Sequence, residues 1–154
     1  MIFISHRGNL YGPNPAVENN PIYIQSVLDA GFHVEIDVWE KGGDLWLGHD
    51  EPQYEIPDNF LSINSHRLWI HAKNVEALRK LSYQTNLVYF WHQEDDVTLT
   101  SNRRIWTYPG KPLVYDAIAC MPEIAYDGNL WDCYAICSDL IVEYKRLYEN
   151  RNTN

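Results

Sequence analysis

The chain opens on an apolar run, Met1-Ile2-Phe3-Ile4, that reads as a strand buried on both faces. It stops at Ser5-His6-Arg7-Gly8, where polar groups and a glycine replace it. From Gly8 to Pro21 the composition is that of a loop, rich in Gly, Pro and Asn. Asn20-Pro21 then sets a cap and a first-turn proline ahead of Ile22, Ile24, Val27 and Leu28, a helical stripe that Ala30-Gly31 closes. Phe32 to Trp39 alternates, with Val34, Ile36 and Val38 on one face and Glu35 and Asp37 on the other. Lys41-Gly42-Gly43-Asp44 is a turn, and Leu45-Trp46-Leu47 a short returning strand that carries His49 back toward the end of the second strand.

Pro52 to Asn64 reads as loop with one turn of helix at most, so Asp50 to His66 is expected to leave the cleft uncovered. Arg67 to Ile70 is a third strand leading to His71-Ala72-Lys73, in which His71 and Lys73 share a face. Asn74 caps a helix from Val75 to Leu81. Further strands are predicted at Asn86–Trp91, Arg104–Tyr108, Leu113–Tyr115 and Ala135–Ser138, followed by a helix from Leu140 to Leu147. His92, Asp116 and Asp139 stand at the ends of three of these strands.

Strands that alternate with helices or loops predict a mostly parallel α/β sheet. Seven strands in 154 residues point to a trimmed or incomplete (β/α) TIM-type barrel, since a full one takes roughly 250 residues. The room between the fifth and sixth strands holds only a turn, which conflicts with a standard crossover. An open α/β sheet is the alternative. One domain is expected over 1–150, with 151–154 a frayed tail.

Composition narrows the class. A hydrophobic share of 45% and a charged share of 21% describe a globular domain. Six tryptophans and eleven tyrosines supply bulky core filling or the walls of a cleft. A net charge of −9 argues against nucleic acid and anionic membrane as partners. Cys120, Cys133 and Cys137 lack zinc-pair spacing and read as buried thiols, which suits a reducing compartment. No leader and no membrane-spanning run is evident, so a cytoplasmic location without membrane insertion is expected.

Singly, the polar residues at strand ends are ordinary surface groups. Together they are a constellation. Glu35 and Asp37 converge on one point, and two carboxylates that close repel unless a proton or cation lies between them. A hard divalent cation is the economical occupant. Arg7 and Lys73 suit a phosphate, and paired histidines suit proton transfer near neutrality.

The motifs His6-Arg7-Gly8, Glu18-Asn19, Glu35-x-Asp37 and His49-Asp50 resemble the glycerophosphodiester phosphodiesterase family. That family shares its barrel with phosphatidylinositol-specific phospholipase C and the spider-venom phospholipase D enzymes. The resemblance covers residues 1–50 and continues weakly at His71-Ala72-Lys73. It implies a phosphoric diester hydrolase, with His6 and His49 as the acid–base pair and Arg7 and Lys73 on the phosphate. Magnesium or calcium would be held by Glu35, Asp37 and the residue at position 71. It makes Glu18 and Asn19 neighbours of the site; His92 has no motif match. The family carries an acidic residue where His71 stands, and an imidazole there favours manganese or zinc. His71 as ligand and His71 as a hydrogen-bonding barrel residue therefore stand side by side. Two other activities stay open: a non-catalytic phosphate-binding barrel, and a lyase-type relative that forms a cyclic phosphate. The expected partner is a small phosphodiester, and no oligomeric state is implied.

Overall fold

The computed structural model describes residues 1–151. Its sheet is built around β1 (Ile2–His6), which pairs in parallel with β2 (His33–Lys41) on one side and β10 (Ala135–Ser138) on the other. From β2 the parallel run continues to β5 (Leu68–Ala72) and β6 (Tyr89–Trp91). From β10 it continues to β9 (Ile118–Cys120) and β8 (Ile105–Thr107), and ends at antiparallel β7 (Val97–Leu99). The eight strands from β7 round to β6 form a curled, mostly parallel half-barrel. The far end of β2 pairs antiparallel with β3 (Asp44–Leu47), and β3 with the two-residue β4 (Tyr54–Glu55). The ends of the curl come together without a ladder among the described residues. Ser101 N–H donates to Tyr89 O (2.8 Å) and Thr98 Oγ1 to Trp91 O (2.7 Å).

Alternation along each strand sorts the apolar side chains into two layers. Val34, Ile36, Val38, Leu68, Ile70 and Ile136 face outward against the helices. Ile4, Trp69, Phe90, Trp106, Ile118 and Cys137 fill the inside of the curl, where Trp69 meets Trp106 across it. Met1, Ile2 and Phe3 are only partly covered, so the first strand is fully buried from Ile4 onward and not along its whole length.

Four helices form among the described residues, α1 (Pro21–Asp29), α2 (Phe60–Ile63), α3 (Val75–Ser82) and α4 (Ile141–Arg151). The Asn20 side chain accepts from the N–H of Ile22 and Tyr23, and Pro21 follows at the first helical position. Asn74 accepts from Ala77 N–H in the same way, a cap typically worth ~1 kcal/mol. Ile24, Val27 and Leu28 are buried, each contributing about 1.5–3 kcal/mol, while Ile22 faces solvent. Arg151 closes α4 and so is helical, not part of a frayed tail as expected; 152–154 lie outside the described residues.

Leu113–Tyr115 is not a strand, contrary to expectation; the sixth parallel strand is Ile118–Cys120. Leu113 packs against the outer layer, beside Leu130 and Trp131, doing the covering that a crossover helix does elsewhere, while Val114 and Tyr115 are exposed. The connection between β8 and β9 is therefore a ten-residue loop, long enough for the parallel return that a turn would not allow. The Asp50–His66 segment holds the single helical turn expected, α2, but adds a two-residue strand, β4, that was not.

At the foot of the curl, Trp69 Nε1–H donates to His33 Nδ1 (3.3 Å), which requires the lone pair of a neutral imidazole. Burial, with the charges of Arg67 and His66, lowers His33 from 6.5 to about 4. The unfolded chain takes up this proton at the higher value and the folded chain only at the lower. Stability is thus full above pH 6.5 and falls as pH drops toward about 4. Denaturant midpoints measured across that window should fall in the parent and flatten in His33→Gln.

Candidate active site

Parallel strands bring their C-terminal ends to one rim. His6 ends β1, with Arg7 following; Glu35 and Asp37 lie on β2, His71 on β5 and Lys73 just beyond. The ladders set His6 opposite Glu35, and Asp37 opposite His71. The parallel ladders thus gather groups far apart in sequence.

Asp37 is completely buried and is the most heavily partnered side chain of the rim. Arg7 Nε lies 3.0 Å and His49 Nδ1 3.4 Å from Oδ2; His71 Nδ1 lies 3.1 Å and Lys73 Nζ 3.4 Å from Oδ1. Asn19 completes the shell, its Nδ2 donating to Oδ2 (3.0 Å) and its Oδ1 accepting from Asp37 N–H (2.9 Å). Burial alone would raise this carboxyl. The hydrogen bonds from His49 and His71 and the charges of Arg7 and Lys73 outweigh it and hold Asp37 well below the usual carboxylate range.

Glu35 goes the other way. Burial first, and Asp37 beside it, push its carboxyl well above the ordinary value against the opposing charges of Arg7 and Lys73. Its Oε2 is buried without a hydrogen-bond partner and lies 3.9 Å from His6 Nε2. One ligand atom each from Glu35, Asp37 and His71 fall within 4.8 Å of one another. His71 Nε2 faces the carbonyl oxygen of His92 at 3.2 Å and so carries its proton there, which leaves Nδ1 aimed at the two carboxylates. Nδ1 must then bear a second proton or offer its lone pair to a cation. An orphaned carboxylate oxygen and an imidazole oriented from behind fit a divalent metal ion.

His6 has a partner that sequence reasoning left unassigned. Its Nδ1 lies 2.8 Å from Asp139 Oδ1, at the end of β10. Asn9 Nδ2 donates to the same oxygen (2.8 Å), and Asp139 N–H donates to Glu123 Oε1 (2.9 Å). Burial would raise Asp139, but the hydrogen bond and charge of His6 outweigh it and lower it. The carboxylate thus fixes the Nδ1–H tautomer of His6 and turns Nε2 toward the cleft. Asp139 was legible only as a strand-end carboxylate, because its partner lies 133 residues away. Asp116, equally a candidate by position, is not at the rim; it pairs with Arg104 on the surface.

The backbone is bent to make this arrangement. Arg7 and Asn19 hold left-handed φ values of 53° and 58°, and they are joined by Asn19 N–H donating to Arg7 O (3.1 Å). Gly48, before His49, leaves no room for a side chain: a Cβ would come within 2.0 Å of Glu51 O. Glu18 accepts from Asn9 (2.8 Å) and pairs with Arg7 (3.5 Å), so both expected neighbours, Glu18 and Asn19, lie at the site. His92 lines the cleft, its ring stacked on Tyr108 and its Nε2 2.6 Å from Asp95 O.

The rim opens into a cleft of about 490 Å³ containing His6, Arg7, Glu35, His49, His71 and Lys73. A larger hollow of about 570 Å³ lies around Pro57 and Lys80 and touches none of them. No protein-family model, curated protein or solved structure matches the chain. The arrangement must therefore be read from its own chemistry.

Because Glu35 is raised in the fold, its proton supports the metal-free protein at low pH, and that contribution is lost as pH rises through the folded value. A bound cation replaces the proton. Manganese or magnesium at ~100 times its Kd should stabilise the parent by about 2.7 kcal/mol, more in alkali than in acid. Glu35→Gln should lose that gain. Thermal shifts with and without cation check this, and equal gains in both proteins refute it.

Proposed function

We propose that the chain is a metal-dependent phosphodiesterase on a trimmed (β/α) barrel, cleaving phosphoric diesters with His6 and His49 as base and acid. The observation that carries this reading is the rim itself. Two histidines, an arginine and a lysine face one pair of buried carboxylates whose protonation is driven in opposite directions. It accords with the resemblance of residues 1–50 to the glycerophosphodiester phosphodiesterase family.

A divalent ion held by Glu35, Asp37 and His71 would neutralise charge on the phosphate oxygens. Arg7 and Lys73, both tethered to Asp37, are set to donate to the same phosphate. His6, with Nδ1–H tied to Asp139, takes the proton of the attacking water on Nε2. Oxygen bonds to phosphorus, the bond to the departing alcohol breaks, and His49 returns a proton to the alkoxide. The half-exposed His49 can re-equilibrate with solvent between turnovers.

One observation favours a second reading. A doubly protonated His71 between Asp37 and the His92 carbonyl would itself be the cation of the site. The barrel would then bind a phosphoester without turning it over. Hydrolysis of bis(p-nitrophenyl) phosphate with added manganese separates the two, and phosphorus NMR of a substrate with a neighbouring hydroxyl shows whether a cyclic phosphate forms.

His49→Ala should lower turnover ~10²–10⁴-fold with little change in melting temperature. His6→Ala should lower it as much but also destabilise, because Asp139 is left buried without its partner. Asp139→Asn, which no longer fixes the tautomer, should reduce kcat with KM retained. Steady-state kinetics on folded variants check all three; full activity in both histidine variants would remove the assignment.

A further inference from the structure

The cleft is divided. His6, Arg7, His49 and Met121 form a ridge that lines both the lobe described above and a second lobe of about 400 Å³. The first lobe has aromatic walls, Phe90, Trp91, His92, Trp106 and Tyr108. The second is walled by Pro13, Glu18, Asn19, Asp50 and Gln53. The catalytic groups lie where the two meet.

The aromatic wall is more than core filling. Phe90 and Trp106 stack at 4.4 Å as a buried floor, and His71 stacks on Phe90 at 5.0 Å. Above that floor Tyr108 and Trp91 keep exposed surface. Tyr108 is braced by the stacked ring of His92, which Asp95 O holds in turn. The Tyr108 hydroxyl has no hydrogen-bond partner among the described residues, and burial, with the nearby Cys120 and Glu35, keeps it protonated. A flat ring entering this lobe finds an aromatic face and one unspent donor. The opposite lobe offers the exposed amide of Gln53 and carboxylate of Asp50 instead, suited to hydroxyl or ammonium substituents.

Resting on the phosphodiester reading, we propose that the two lobes take two chemically different arms of one substrate. A flat, aromatic arm lies against Tyr108, and a hydroxylated or amino-bearing arm lies beside Asp50 and Gln53. Tyr108 selects the flat arm. A phosphate on the ridge reaches both lobes, which a symmetric ligand would use poorly.

Calorimetric titration of the manganese-loaded protein with phenyl phosphate and with glycerol 3-phosphate tests the assignment without turnover. Phenyl phosphate should bind about three- to tenfold more tightly, the range of one aromatic pair. Tyr108→Leu should bring the ratio to about one while glycerol 3-phosphate keeps its affinity. Tyr108→Phe should retain the ratio. His92→Ala, which removes the brace, should give an intermediate value and serves if Tyr108→Leu does not fold. Equal affinities in the parent, or a Tyr108→Leu that weakens both ligands alike, overturn the assignment. If bis(p-nitrophenyl) phosphate is still turned over, only the lobes fall; if selective binding stands without turnover, the lobes survive and the hydrolase reading falls. Binding of neither ligand overturns both.

Discussion

A single buried charge organises this protein. Asp37 has no access to water, and an unpaired carboxylate in that position would cost several kcal/mol. Its neutralisation draws in Arg7 from the end of β1, Asn19 from the loop before α1, His49 from the loop after β3, and His71 and Lys73 from β5 and its exit. Satisfying one carboxylate thus sets the position of nearly every group with chemistry to offer, and the left-handed turns at Arg7 and Asn19 are tolerated because this web holds them.

The same web divides labour between two carboxylates two residues apart. Asp37 receives donors on both oxygens, whereas Glu35 keeps an oxygen with none. One is therefore ionised by its neighbours and the other waits for a proton or a cation. Identical side-chain chemistry acquires opposite tendencies from burial and partners alone. His6 and His49 are separated by similar means. The first is locked on Asp139 inside the fold; the second is half open to solvent.

Much of this was readable from local pattern. The alternation around Glu35 and Asp37, the Asn20-Pro21 start and the Asn74 cap are signals within a few residues, and the elements they announce are present. The rim residues His6, Arg7, Glu35, Asp37, His71 and Lys73 meet because parallel strands end together, and antiparallel β3 returns His49 to them. What escaped depends on distance or on weak residues. Ile118–Cys120 is flanked by small side chains that score poorly as a strand, while the bulkier Leu113-Val114-Tyr115 is loop. β7 is short and half exposed within an acidic stretch, and Asp139 joins His6 only through the tertiary fold.

The seam between β6 and β7 gives the molecule an uneven stiffness. Parallel ladders run unbroken from β8 through β1 to β6, but the curl is completed by scattered hydrogen bonds from Ser101 and Thr98. Amides along that seam should exchange with solvent sooner than those of β1 and β2, since few neighbours must open with them. His92 and Tyr108 stand beside it, whereas Asp37 stands at the stiffest point of the sheet. The aromatic wall of the cleft thus stands beside the looser part of the sheet, and the web around Asp37 at its middle. Changes of sequence at the seam can reshape the wall of the cleft while leaving the web around Asp37 as it is.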